Sequence, residues 1–227
     1  MELKYKIVRS SKRRKMTITV ERDRSIIVHV PEGVSDEVVN TLVDSKRQWL
    51  FAKLHHPQKY QEKPSAPGKE VVNGESAPYL GRDYRIEITE TASGRIEFSR
   101  RFAVPAAYQS QGRGVLRDWY IAQANEKILP RVAQHARELG VKFSSAKIVD
   151  NRYRWGSCTL TDSVNFNWRL IKAPMFVVDY VIVHELAHLI EGNHTPQFWS
   201  VIRAKTPTMD KAKAWLKENG QLLEQEL

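Results

Sequence analysis

The sequence predicts an α+β chain in two parts: a mainly β N-terminal region, residues 1–108, with one covering helix, and an α+β region, residues 109–227, that holds the chemistry. Three observations lead there. Short alternating segments bounded by turn residues fill the first hundred positions. A helical period takes over from Gln109. Two more strand-like runs then precede a strongly apolar helix that contains His184-Glu185-Leu186-Ala187-His188.

Met16 to Val20 and Ser25 to Val30 flank the turn-like run Glu21-Arg22-Asp23-Arg24 and read as a hairpin, which Pro31-Glu32-Gly33 ends. Ser35 ahead of Asp36 and Glu37 marks a helix start. Val38, Val39, Leu42, Val43, Leu50 and Leu54 carry the helix to His55, so it is expected to cover the hairpin. Residues 56–70 collect Pro57, Pro64, Ser65, Pro67 and Gly68, a linker or loop composition. Short strands are expected near Val71–Val72, Tyr84–Thr89 and Arg95–Phe98.

Leu116, Tyr120, Ile121, Ile128, Val132 and Leu139 predict a long helix from Gln109 that closes at Gly140 and bends at Pro130. Ala146–Val149 and Val164–Leu170 read as strands. In the second, Asn165, Asn167 and Arg169 alternate with Val164, Phe166 and Trp168, which makes it the expected edge of a cleft. Pro174 opens the helix that runs to Ile190.

Composition narrows the function classes. Six Trp, eight Tyr and seven Phe with 41% hydrophobic residues argue for a folded chain. The longest apolar run, Phe176 to Ile190, is interrupted by Asp179, His184, Glu185 and His188, so no membrane span is expected. Cys158 is the only cysteine, and the first ten residues lack a continuous apolar block; both point to a cytoplasmic protein. The net charge of +10 favours anionic partners, and Lys12, Arg13, Arg14 and Lys15 form its densest run. A solvated face is the simpler account of such charge, because it is spread along the chain.

Two histidines four residues apart lie on one helix face, so His184 and His188 can reach a single Zn²⁺. Glu185, offset by about 100° around the axis, is aimed at a water on that metal rather than at the metal itself. By composition the five-residue pattern arises by accident in about one or two chains of this kind in a hundred, so a third ligand matters. His194 supplies it, six residues after His188, with Gly192 and Asn193 able to turn the chain back. Buried together, these groups are costly unless a divalent cation satisfies them. Three imidazoles and no thiolate describe an open catalytic zinc site rather than a closed structural one.

Arg154-Trp155-Gly156-Ser157-Cys158, Asn167-Trp168-Arg169-Leu170, the His-Glu segment, His194 and Phe198-Trp199 together resemble the YgjP-like metallopeptidase family, related to the SprT and WLM zincins. The resemblance implies a zincin-like fold in which an active-site helix lies below a small sheet, three histidines bind zinc and Glu185 is the base. Glu191 stands where metzincins carry glycine, and no Met-turn can be assigned; Met209 reads as core.

The expected activity is therefore zinc-dependent hydrolysis, with a peptide or protein substrate first. Arg152, Tyr153 or Arg154 are candidates for oxyanion stabilisation, against a structural role in capping and turning the chain. Arg152, Arg154, Asn167 and Arg169 are the candidate substrate-binding residues. Cys158 reads as packing, and Asp179 and Tyr180 as helix-start or packing residues that can also orient a ligand. Two alternatives stay open. The basic residues suit a nucleotide whose phosphoanhydride is cleaved, and the N-terminal hairpin suits a nucleic-acid- or protein-binding module with secondary hydrolysis.

Overall fold

The computed structural model describes residues 3–11, 13–20, 25–55, 71–90, 94–151 and 154–224. The 21–24 turn, Lys12, the 56–70 linker, Arg152 and Tyr153 lie outside the described residues. The chain divides into two compact units, Met1–Gln61 and Glu62–Leu227.

In the first unit, strands β1 (Tyr5–Ser10), β2 (Thr17–Val20) and β3 (Ile26–Pro31) form a sheet in the order β1-β3-β2. β2 and β3 pair antiparallel as the expected hairpin, and β1 pairs parallel to β3. Alternation sends Ile26, Val28 and Val30 to one face. There they meet Val39, Val43 and Leu50 from α1 (Asp36–Ser45) and α2 (Arg47–His55), and all six are buried. The covering helix is thus two helices rather than one. Ser45 Oγ donates to the Leu42 carbonyl at 2.7 Å, and the Lys46 N–H divides between the carbonyls of Leu42 and Val43, which breaks the ladder there.

In the second unit, β4 (Ser76–Tyr79) and β5 (Arg82–Thr89) form a hairpin closed by Leu80-Gly81 at φ 50° and 80°, the type I′ geometry that matches strand twist. Leucine is uncommon at positive φ, and its N–H is anchored on the Ile171 carbonyl at 2.9 Å. β6 (Glu97–Phe98) and β7 (Phe102–Pro105) complete a four-stranded sheet, β4-β5-β7-β6. Val71–Val72 is not a strand, although Val71 is buried.

The long helix α3 (Gly112–Leu139) follows a short 3-10 turn, Ala106–Gln111. Leu116, Tyr120, Ala124, Ile128, Val132 and Ala136 recur every four residues and form its buried stripe. Gly140 ends it at φ 71°, returning its N–H to the carbonyls of Ala136 and Arg137. The Tyr120 hydroxyl donates to Pro78 O at 2.7 Å and ties the stripe to β4.

β8 (Ser145–Val149), β9 (Gly156–Cys158) and β10 (Ser163–Asn167) make a second sheet in the order β8-β10-β9. β10 is therefore its central strand and β9 an edge, which corrects the expectation that the Val164 segment forms the edge strand. β10 also stops earlier than expected, at Asn167, because the Asn167 side chain accepts from Arg169 N and caps a 3-10 turn, Trp168–Lys172. Helix α4 (Met175–Ala187) follows Pro174, then α5 (Pro196–Lys205) and α6 (Met209–Glu224). The last two are helices that hydrophobic pattern alone did not announce.

One core runs through this unit, joining Phe102 and Val104 of β7 and the α3 stripe to Phe166, Val177, Ile182, Leu186, Phe198 and Leu216. The boundary drawn from sequence at 108/109 falls inside it: the strands of residues 76–105 share α3's core, so the break in contacts comes at 61/62.

Candidate metal centre

Helix α4 is apolar nearly all round, with Val177, Val178, Val181, Ile182, Val183, Leu186 and Ala187 buried. Its end is where polar groups gather. The ladder tightens after Ala187, with Leu189 N–H bonding Leu186 O and Ile190 N–H bonding Ala187 O, and this shortened turn carries His188 at the C-cap. His184 and His188 thereby project from one face with ring centroids 5.2 Å apart.

The third histidine is placed by a turn and a cap. Thr195 N–H bonds the Asn193 carbonyl at 2.8 Å, closing a three-residue turn with His194 at its apex. Thr195 Oγ1 then accepts from Phe198 N–H and Pro196 occupies the first position of α5, a strong helix start. As a result His194 Nε2 lies 3.1 Å from His184 Nε2. One donor atom from each of His184, His188 and His194 falls within 4.8 Å of the others.

This arrangement fits a tetrahedral zinc ion. Metal–nitrogen bonds of about 2.0–2.1 Å separate two ligand nitrogens by about 3.4 Å, close to the His184–His194 spacing. Burial, then the neighbouring His194, lowers the pKa of His188, favouring the neutral ring that ligation requires, while backbone groups of Glu191 and Gly192 hydrogen-bond that ring. Phe198, fully buried, packs against all three imidazoles with centroids at 5.0, 4.6 and 4.7 Å, and Trp199 stacks on His194 at 5.6 Å. The site therefore rests on an aromatic floor, and Met209 lies in the core at the start of α6.

Glu185 is 7% exposed. Burial pushes its carboxyl up to about 7, against the opposing pull of Arg154 and of a backbone hydrogen bond from Cys158. Strand β9 packs directly on it. Cys158 is half-buried, and burial followed by the Glu185 charge raises its thiol.

The remaining sequence candidates separate. Arg154 is exposed and lies within electrostatic reach of Glu185. Asn167, 2% exposed, donates to the carbonyls of Asn151 at 2.5 Å and Arg154 at 3.2 Å. Arg169, also buried, bonds Asp150 at 2.5 Å and lies over the Trp168 ring at 4.4 Å. Both turn their polar atoms toward the chain itself. Asp179 is forked by Arg131 at 2.6 Å twice and met by His135 at 3.1 Å, so it joins α4 to α3. The Tyr180 ring sits 6.0 Å from that of His184. Sequence reading missed the aromatic floor and the contact of β9 with Glu185. Thr195-Pro196 was the available signal for α5, and hence for Phe198.

Comparison with curated proteins finds no match. Among solved structures, similarity extends to the metallopeptidase zymogen jannalysin of Methanocaldococcus jannaschii, at 21% identity and TM-score 0.37 over 42% of this chain and 97% of that one. It extends also to the metallopeptidase zymogen abylysin of Pyrococcus abyssi, at 16% identity and TM-score 0.38 over 44% of this chain and 98% of that one. The family model described as YgjP-like, metallopeptidase domain, matches residues 14–219. With nearly its whole length inside that match, the chain belongs to the YgjP-like metallopeptidase family and is a metallohydrolase.

Proposed function

We propose that this protein hydrolyses peptide bonds, with zinc held by His184, His188 and His194 and Glu185 as the general base. The observation that carries the reading is the convergence of three imidazole donors within 4.8 Å, two of them from the end of the helix that also bears the buried Glu185. Family membership supports a peptide or protein substrate. When bound, zinc supplies Lewis acidity toward the scissile carbonyl and acidifies a water at neutral pH.

The chain's own residues do the rest. The Glu185 carboxylate takes the proton of the attacking water and returns it to the leaving amine, from its buried position on the helix turn between His184 and His188. Among the described residues β9 is an edge strand, and an extended peptide would add beside it through the backbone groups that the Cys158–Glu185 bond leaves. Arg154, exposed beside Glu185, is the residue placed to stabilise negative charge developing on the carbonyl oxygen. Asn167 and Arg169 act as positioning residues for Asn151, Arg154 and Asp150 rather than as substrate contacts. Among the described residues no helix is long and apolar enough to cross a membrane.

The test combines metal analysis with turnover of peptide and nucleotide libraries. About one zinc per chain, its loss in His184→Ala, and cleavage of peptides abolished in Glu185→Gln with zinc retained are expected. Release of pyrophosphate from nucleoside triphosphates without peptide cleavage would replace the peptide reading.

A further inference from the structure

We propose that Gly156 is a positioning residue for catalysis, present because the Glu185 carboxyl occupies the space where any larger residue would put its Cβ. The inference rests on the reading of Glu185 as the base. A Cβ built on Gly156 would lie 2.5 Å from Glu185 Cγ, 2.7 Å from Oε1 and 2.8 Å from Cδ. Each is inside the distance that real Cβ atoms keep.

The usual reasons for glycine do not apply here. Its φ lies outside the left-handed region, so an alanine suits the backbone, and glycine within a strand otherwise weakens it. Gly114 of α3 provides the contrast, since a Cβ there meets nothing within 4 Å. The side chain that would be struck at Gly156 also has little freedom to move. Glu185 is buried, it comes from a helix packed on every side, and its carboxylate accepts from the Cys158 backbone.

The strand is equally fixed. β9 pairs with β10 through Phe166↔Gly156 and Val164↔Cys158, and Asn167 N–H bonds Trp155 O at 2.8 Å just before it. Two groups of β9 therefore define where the carboxylate lies: the missing side chain of Gly156 leaves the space, and the N–H of Cys158 sets the direction. A residue with a Cβ at 156 would push the carboxylate off this position or push the edge strand away from the helix. Either movement separates the base from the edge along which a substrate would lie.

The experiment is a double-mutant cycle read by unfolding midpoint and by kinetics. Gly156→Ala is made in the native chain and in Glu185→Ala, which removes the struck atoms, with Gly114→Ala as control. The expected result is a lowered midpoint in the native chain and an unchanged or raised one in the Glu185→Ala background, because glycine-to-alanine at an unstrained position stabilises. In the native background, kcat should fall at least about tenfold with zinc content and KM retained. If Gly156→Ala fails to fold alone, folding of the double variant carries the same conclusion. Equal effects in both backgrounds, or undiminished kcat, would overturn the proposal. Retained turnover in Glu185→Gln would instead remove the base assignment and leave the steric coupling standing, so the two failures are distinct.

Discussion

His184 Nε2 and His194 Nε2 approach to 3.1 Å although they come from different elements, one from the last turns of α4 and the other from the turn that precedes α5. The pair is assembled by the fold: the Thr195 cap and the Phe198 floor hold the loop, so a metal would meet donors already convergent. Such a centre stabilises the native state by mass action.

Zinc at a thousand times its dissociation constant is expected to raise stability by about 4 kcal/mol, seen as an upward shift in unfolding temperature. His184→Ala and His194→Ala should each lose most of that shift, and chelation of the native protein should reverse it. Equilibrium dialysis checks the same point. A His194→Ala variant that binds zinc as tightly as the native chain would remove His194 from the ligand set.

The junction of α3 with α4 gives a prediction on pH. Burial raises the Asp179 carboxyl, but hydrogen bonds from His135 and Arg131 and the Arg131 charge outweigh it, so its pKa is lowered on balance. A group depressed on folding stabilises the native state above its unfolded pKa, about 3.9, and that contribution is lost as pH falls through the folded value. Asp179→Ala should therefore cost about 1–2 kcal/mol at pH 7, a figure reduced for the partial exposure of Arg131, and the difference from native should shrink below about pH 4. Five of the six tryptophans lie in the second unit, so tryptophan fluorescence in urea follows this unit.

The aromatic floor should matter twice. Phe198 is fully buried and touches all three imidazoles, so Phe198→Ala is expected to cost about 3–5 kcal/mol and to weaken zinc binding about tenfold or more. Phe198→Leu should recover much of the stability and less of the affinity, since it fills volume without the flat ring surface. Paired urea melts and zinc titrations separate the two effects.

How far the sequence foretold this depends on where the information sits. The face shared by His184 and His188 is written locally, since their spacing fixes one face of a helix whatever surrounds it, and Gly140 and the β2–β3 hairpin are likewise set by near neighbours. β9 was not legible because three residues, Gly-Ser-Cys, are too few to show a period. Its place at the edge depends on which strand β10 pairs with, a long-range choice. α6 was obscured because Ala212 and Gly220 stand among its buried positions, diluting a stripe that Met209, Leu216 and Leu223 otherwise mark. The division at 61/62 falls within the stretch of linker or loop composition, but the boundary was drawn later because the strand-rich segments before and after it look alike in sequence and join different cores.

Asn167 provides the last prediction, and it tests what holds Asn151 and Arg154 in place ahead of β9. Its side chain donates to two carbonyls, of Asn151 and Arg154, and accepts from Arg169 N–H at 3.0 Å, all at 2% exposure. Asn167→Ala removes these three hydrogen bonds at a buried position and should cost about 1–3 kcal/mol. Asn167→Asp has nearly the same shape but replaces two donated hydrogens with a carboxylate facing two carbonyl oxygens, so it should be the worse substitution at neutral pH despite retaining the acceptor for Arg169. Because Arg154 stands just before β9, both variants should lower turnover more than they lower zinc content. Urea midpoints, metal analysis and kcat on the same preparations check the order native, Ala, Asp. A reversed order would mean that the side chain fills space here and that its hydrogen bonds do not hold the strand.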